Sequence, residues 1–194
     1  MEPLLLVQGL AVRRGDRLLL RDLDLRLQPG ERLHLRGANG IGKSSLLECL
    51  AGLRTAEAGQ VVRRAPLHWL GHRHGVNLAL SPLENLGYAA ALLGAGEAAV
   101  LPALEQLGLG RQRHRPCAQL SAGQRRRTAL ARLLLSRRPL WLLDEPLAGL
   151  DAEGIERVGA LLDAHLASGG AVLLTSHQPL PGRLGVFLER SLTR

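Results

Sequence analysis

ERLHLRGANGIGKSSLLECLAGL, Glu31 to Leu53, decides the fold. It opens on RLHLR (Arg32 to Arg36), whose strict alternation predicts a half-buried strand. It closes on SLLECLAGL, an apolar helix. Between them, Gly37, Ala38, Asn39, Gly40, Ile41, Gly42, Lys43 and Ser44 fit the spacing GxxxxGK(S/T) with nothing left over. Glycines let successive backbone N–H groups turn inward around a β-phosphate, and the following helix adds its N-terminal dipole. Lys43 then reaches the β- and γ-phosphates, and the Ser44 hydroxyl is placed to ligate Mg²⁺. Lys43 is also the only lysine in a chain with 25 basic residues. One lysine stands where a compact ammonium is needed and a planar guanidinium would not fit. The stretch predicts a nucleotide site.

Working outward, LDLRL (Leu23 to Leu27) alternates as well, and Pro29 and Gly30 make a turn between it and RLHLR. VVRR (Val61 to Arg64) and LHWLG (Leu67 to Gly71) read as two further strands. Pro82 to Leu107 is Ala/Leu/Gly-rich and mostly helical. Ser121 opens a helix with Leu130, Leu133 and Leu134 on its apolar side, ended by Pro139. LWLLD (Leu140 to Asp144) and AVLLTS (Ala171 to Ser176) are nearly all apolar, as central parallel strands are. A helix from Ala152 to Ala167 separates them, and a last short strand lies near Val186. The alternation implies an α/β domain with a mainly parallel central sheet, preceded by an antiparallel β part. Residues 72–138 interrupt the alternation as a helical lobe within a single domain, 1–194.

Two strand ends bring carboxylates and a histidine to the phosphate loop. LWLLD delivers Asp144 to the sheet edge, where it can hold Mg²⁺ through water while Ser44 binds it directly. Glu145 follows on the γ-phosphate side, placed to orient or deprotonate an attacking water. His177 ends the second apolar strand by the same logic. LSAGQ (Leu120 to Gln124) is a second anion-type element. Ser121 and Gln124 have capping-box spacing, and Gly123 weakens a first helical turn unless something must approach the backbone. A helix N-terminus with a free hydroxyl and a glycine is equally an anion site.

Hydrophobic content of 46% and charged content of 22% mark a globular chain, with Trp69, Trp141, Tyr88 and Phe187 its only aromatics. The net charge of +8 suits polyanionic partners. The arginines are nevertheless scattered, and runs such as Arg125 to Arg127 read as solvated surface. No aromatics are interleaved with them for base stacking, so no nucleic acid is expected. Cys49 and Cys117, without metal-ligand spacing, read as two buried thiols in a reducing compartment. The start MEPLLLVQGL has no basic region and is not read as a signal peptide. Leu86 to Leu104 is broken by Gly, Pro and Glu97 and is not read as a membrane span. His72 and His74 in GHRHG read as surface loop residues.

In order, these motifs resemble the ATP-binding-cassette ATPases over essentially the whole chain: GANGIGKS as Walker A, LSAGQ as signature, LWLLDE as Walker B, AGLD (Ala148 to Asp151) as D-loop, and the histidine of TSH as switch. The resemblance implies a P-loop fold, ATP and Mg²⁺ as ligands, and two cassettes pairing head to tail. The signature of one (Ser121, Gly123, Gln124), with Asp151, closes over ATP held by the Walker A residues of the other, Ser45 included. Within the family, GANGIGKSSLLECLAGL, WLGHRHGVNLALSPLENL and LSAGQRRRTALARLLLSRRPLWLLDEPLAGLD resemble most the ATPases of bacterial haem export in cytochrome c maturation. That likeness implies a peripheral protein at the cytoplasmic face of the inner membrane, with integral-membrane subunits docked near Gly71 to Leu86. Hydrolysis would drive release of haem-loaded haem chaperone. Another bacterial transporter, or a cassette acting on nucleic acid, are the alternatives. The chain departs from the family pattern in three ways: Arg13 and Arg14 where an adenine-stacking aromatic is usual, Arg73 near the place of a glutamine, and Ala122 in the signature.

Overall fold

The structure is a computed structural model, and it describes residues 2–72, 75–185 and 187–192. Arg73, His74 and Val186, on which expectations above fall, lie outside the described residues. The chain divides into two compact units: Met1–His72 with Arg138–Pro146 and Leu162–Arg194, and Arg73–Arg137 with Leu147–Leu161.

The first unit contains two sheets. β1 (Leu5–Arg14), β2 (Arg17–Leu27) and β4 (Ala58–Arg63) form an antiparallel sheet in the order β2-β1-β4. β3 (Arg32–Arg36), β5 (Leu67–Leu70), β6 (Leu140–Asp144), β7 (Ala171–Ser176) and β8 (Leu188–Ser191) form a parallel one in the order β5-β6-β7-β3-β8. Helix α1 (Lys43–Ala51) buries Leu46, Leu47 and Leu50, which join Leu5, Leu10 and Leu27 of the antiparallel sheet and Leu142 and Leu173 of the parallel one in one core.

Two sequence expectations are corrected here. LDLRL and RLHLR are not hairpin partners: the first belongs to β2, paired with β1, and the second to the central sheet. β3 is not half-buried either, because β7 and β8 flank it and Leu33, His34 and Leu35 are all buried. β1 escapes pattern reading because its register shifts between Val7 and Leu10, where Gly9 takes φ 55, and this breaks the two-residue period.

The second unit is helical. α2 (Pro82–Leu93) is opened by Ser81 in a capping box with Glu84, and Gly94 in the left-handed region ends it. The stretch from Pro82 to Leu107 is mostly helical, as expected, with α3 (Val100–Gln106) following the break at Gly94. α4 (Ala122–Ala131) tightens into a 3₁₀ turn over Arg132–Leu135, well before Pro139. The change of pitch buries Leu135 and leaves Leu134 half-buried. The arginine run on α4 is not solvated: Arg126 is 1% and Arg127 8% exposed, and Arg127 Nη1 donates to the Leu107 carbonyl at 3.0 Å. A helix turns one side of such a run inward, whatever its charge. α5 (Ala152–Ala167) begins in this unit and ends in the first. Cys49 and Cys117 are free and buried, as expected.

Candidate nucleotide site

The phosphate loop leaves β3 and enters α1. Gly40 at φ 77 and Gly42 at φ 118 adopt conformations that side-chain-bearing residues rarely take. A Cβ on Gly37 would stand 2.9 Å from Ile41 Cγ2, so the loop closes on its own buried isoleucine. Lys43 is 6% exposed, and its ammonium donates to the carbonyls of Gly37 at 2.6 Å and Ala38 at 3.2 Å. Ser45, in the first turn of α1, is buried.

The sheet order puts the ends of β6 and β7 beside this loop. Asp144, 1% exposed, closes β6 and is the register partner of Thr175 on β7. Its carboxylate accepts from the Ser44 hydroxyl at 2.7 Å and from the Thr175 hydroxyl at 2.7 Å. The Thr175 oxygen also accepts the backbone N–H of Glu145 at 3.1 Å. Glu145 sits at φ 53, an uncommon conformation for a residue with a side chain. That turn aims its carboxylate at His177, whose Nδ1 lies 2.9 Å from Glu145 Oε2. A hydrogen-bonded chain thus runs from Ser44 through Asp144, Thr175 and Glu145 to His177. The donors clustered at Ser44 and Asp144 are oxygens, one hydroxyl and one carboxylate, the set a hard cation such as Mg²⁺ takes.

Ser121, Gly123, Gln124 and Asp151 lie in the second unit. The Ser121–Gln124 capping box is formed: Gln124 N–H donates to Ser121 Oγ at 3.1 Å, and Ser121 N–H to Gln124 Oε1 at 2.9 Å. Gly123 has a reason of its own, since a Cβ there would come 2.7 Å from the Gly149 carbonyl oxygen. Asp151 accepts from the Gly154 N–H at 2.8 Å and so caps α5.

Sequence reasoning missed Thr175, which holds both carboxylate residues. The available signal was a lone hydroxyl at the end of an apolar strand, AVLLTS. It also missed His34 and Ser176, whose ring nitrogen and hydroxyl lie 2.9 Å apart inside the sheet.

Residues 20–148 match the ABC transporter family. The chain belongs to the ABC transporter family, in which ATP binding and hydrolysis are general. It is 49% identical over 175 residues to the cytochrome c biogenesis ATP-binding export protein of Hyphomonas neptunium, covering 90% of each chain. It is 47% identical over 193 residues to the protein of the same name from Methylococcus capsulatus, covering 92% of this chain and 93% of that one. Among solved structures, an ABC transporter ATP-binding protein of Pyrococcus furiosus superposes with a TM-score of 0.84 at 23% identity, over 97% of this chain and 96% of that one. Among the described residues, no helix is long and apolar enough to cross a membrane.

Proposed function

We propose that this chain is the ATP-hydrolysing subunit of the haem-export complex of cytochrome c maturation. The observation that carries the export assignment is the 49% identity to a cytochrome c biogenesis ATP-binding export protein over nine-tenths of both chains. The hydrogen-bonded chain from Ser44 to His177 supports the chemistry. The backbone of Gly37 to Ser45 and the N-terminus of α1 hold the β-phosphate of ATP, and the Lys43 ammonium neutralises the γ-phosphate. Ser44 and Asp144 would hold Mg²⁺, which neutralises charge on the phosphates when bound. Glu145 orients the attacking water and accepts its proton, and His177 holds the Glu145 carboxylate and contacts the γ-phosphate.

The whole chain, 1–194, acts as one cassette, and two copies pair head to tail on ATP. Ser121, Gly123 and Gln124 of one copy then close on the nucleotide of the other, with Asp151 at the seam. Integral-membrane subunits dock near Gly71 to Leu86, which keeps the protein peripheral at the cytoplasmic face of the inner membrane. Hydrolysis drives release of haem-loaded haem chaperone.

The test is a haem stain for c-type cytochromes in cells whose sole copy carries Glu145→Gln. Loss of covalent c-type haem, with b-type haem and fermentative growth intact, is the expected result. Unchanged c-type cytochromes would remove the haem assignment and point to a different membrane partner.

A further inference from the structure

One fully buried histidine beneath the phosphate loop has no part in holding nucleotide. His34 stands in the middle of β3 with 0% exposure. β3 runs between β7 and β8, and His34 is the register partner of Leu174 on one side and Glu189 on the other. Its Nε2 lies 2.9 Å from Ser176 Oγ, and its Nδ1 lies 3.3 Å from Glu189 Oε1. The Ser176 hydroxyl in turn bonds the Gln178 carbonyl. Ser176 and Gln178 are the two neighbours of His177, whose ring holds Glu145. Bond by bond, the imidazole inside the sheet is tied to the turn that presents His177.

The proton count assigns direction to these bonds. A serine hydroxyl has a single proton. With that proton on the Gln178 carbonyl, Ser176 Oγ is the acceptor toward His34, so Nε2 carries the ring N–H. A neutral imidazole supplies this one donor. Burial lowers the His34 pKa below its ordinary value, ahead of the opposing pull of the Glu189 carboxylate, so the ring is neutral near pH 7 and Nδ1, without a proton, makes no hydrogen bond to Glu189. Glu189, half-exposed, does not depend on the ring, since Arg36 holds its other oxygen at 3.2 Å. Burying a polar ring in a central strand otherwise filled by Leu33 and Leu35 is costly unless its bonds are made. Here the buried donor is spent on the residue that flanks the switch histidine.

We propose that His34 is a positioning residue for ATP hydrolysis: through Ser176 it holds the turn that sets His177 against Glu145. The role rests on the ATPase reading above. Without the His34–Ser176 bond, Ser176 is held only by its bond to the Gln178 carbonyl and the turn loses its tie to the sheet. The His177–Glu145 contact is then populated less often. The phosphate loop keeps its own amides and Lys43, so ATP binding is unaffected and only turnover suffers.

Two near-isosteric variants separate the role from packing. His34→Gln places its amide nitrogen near the position of Nε2, and His34→Asn places its own near Nδ1. Steady-state ATPase of the full chain is the first readout. His34→Asn and Ser176→Ala should each lower kcat about fivefold, the worth of one ordinary hydrogen bond, with KM for ATP within about twofold. His34→Gln should keep most of the wild-type kcat, and the Asn/Ala double variant should lose no more than either single one. Equal losses in Gln and Asn, a loss expressed in KM, or additive losses would overturn the proposal. The second readout needs no turnover: ¹⁵N imidazole spectra of the nucleotide-free chain. The His177 signals should move in His34→Asn and superpose on wild type in His34→Gln, and His177 signals unmoved in His34→Asn would equally sink it. If wild type shows no ATPase, the proposed function fails, while these spectra still decide the link between His34 and His177.

Discussion

Replacing Thr175 by valine removes one hydroxyl and keeps the volume, at a site with no exposure to solvent. The hydroxyl donates to the Asp144 carboxylate at 2.7 Å and accepts the Glu145 N–H at 3.1 Å. A bond to a buried charged group contributes about 1.5–3 kcal/mol, and leaving the Glu145 donor unpaired adds about 1 kcal/mol. The added methyl returns about 1 kcal/mol of apolar burial. The net expectation is a loss of about 1.5–3 kcal/mol. For a chain of this size that lowers Tm by about 5–10 °C. Thr175→Ser is the control, because it keeps both bonds and loses only a methyl, at about 1 kcal/mol. Urea unfolding followed by circular dichroism should therefore rank wild type above Ser above Val. In an Asp144→Asn background the cost of valine should shrink, since the charge that needed the hydroxyl is gone. A valine variant as stable as the serine one would show that the hydroxyl does not support Asp144, and the site geometry described above would lose its central strut.

Glu145→Gln keeps the shape of the carboxylate but not its basicity. ATP turnover should fall by about 10²–10⁴-fold with the Kd for ATP unchanged, and a parallel loss of binding by calorimetry would contradict a purely hydrolytic role. Gly123→Ala gains about 1 kcal/mol of helix propensity but drives a Cβ to 2.7 Å from the Gly149 oxygen, an overpacking cost of about 1–3 kcal/mol. The variant should melt a few degrees lower, and a raised Tm would show that the Gly149 backbone yields freely. Burial holds His34 and His165 below the ordinary histidine pKa, for His165 against its bond to the Pro139 carbonyl. The unfolded chain therefore binds these protons first as the pH falls below about 6.5. Stability is fully present above that pH and declines toward pH 5, levelling once the folded histidines also protonate. A urea midpoint that stays flat or rises on acidification would refute this.

The elements legible in the sequence are those whose cause is local. Gly40 and Gly42 are required by their own backbone angles, the capping box at Ser121 closes within four residues, and LWLLD and AVLLTS are apolar on both faces because central parallel strands are covered on both sides. The phosphate loop, the helix it opens and the carboxylates at Asp144 and Glu145 could all be assigned from neighbours in the chain. What the tertiary structure decided depends on which strands lie side by side. Pattern reading pairs RLHLR with its sequence neighbour across Pro29 and Gly30, whereas the fold pairs it with β7 and β8, and so buries His34 against Ser176 and Glu189. The same order sets Thr175 opposite Asp144. Arg126 and Arg127 are buried because the fold packs that side of α4 inward, which a count of charges does not show. A contact made within one turn or one loop is written in consecutive residues. A contact between strands far apart in the chain exists only after the sheet has chosen its order.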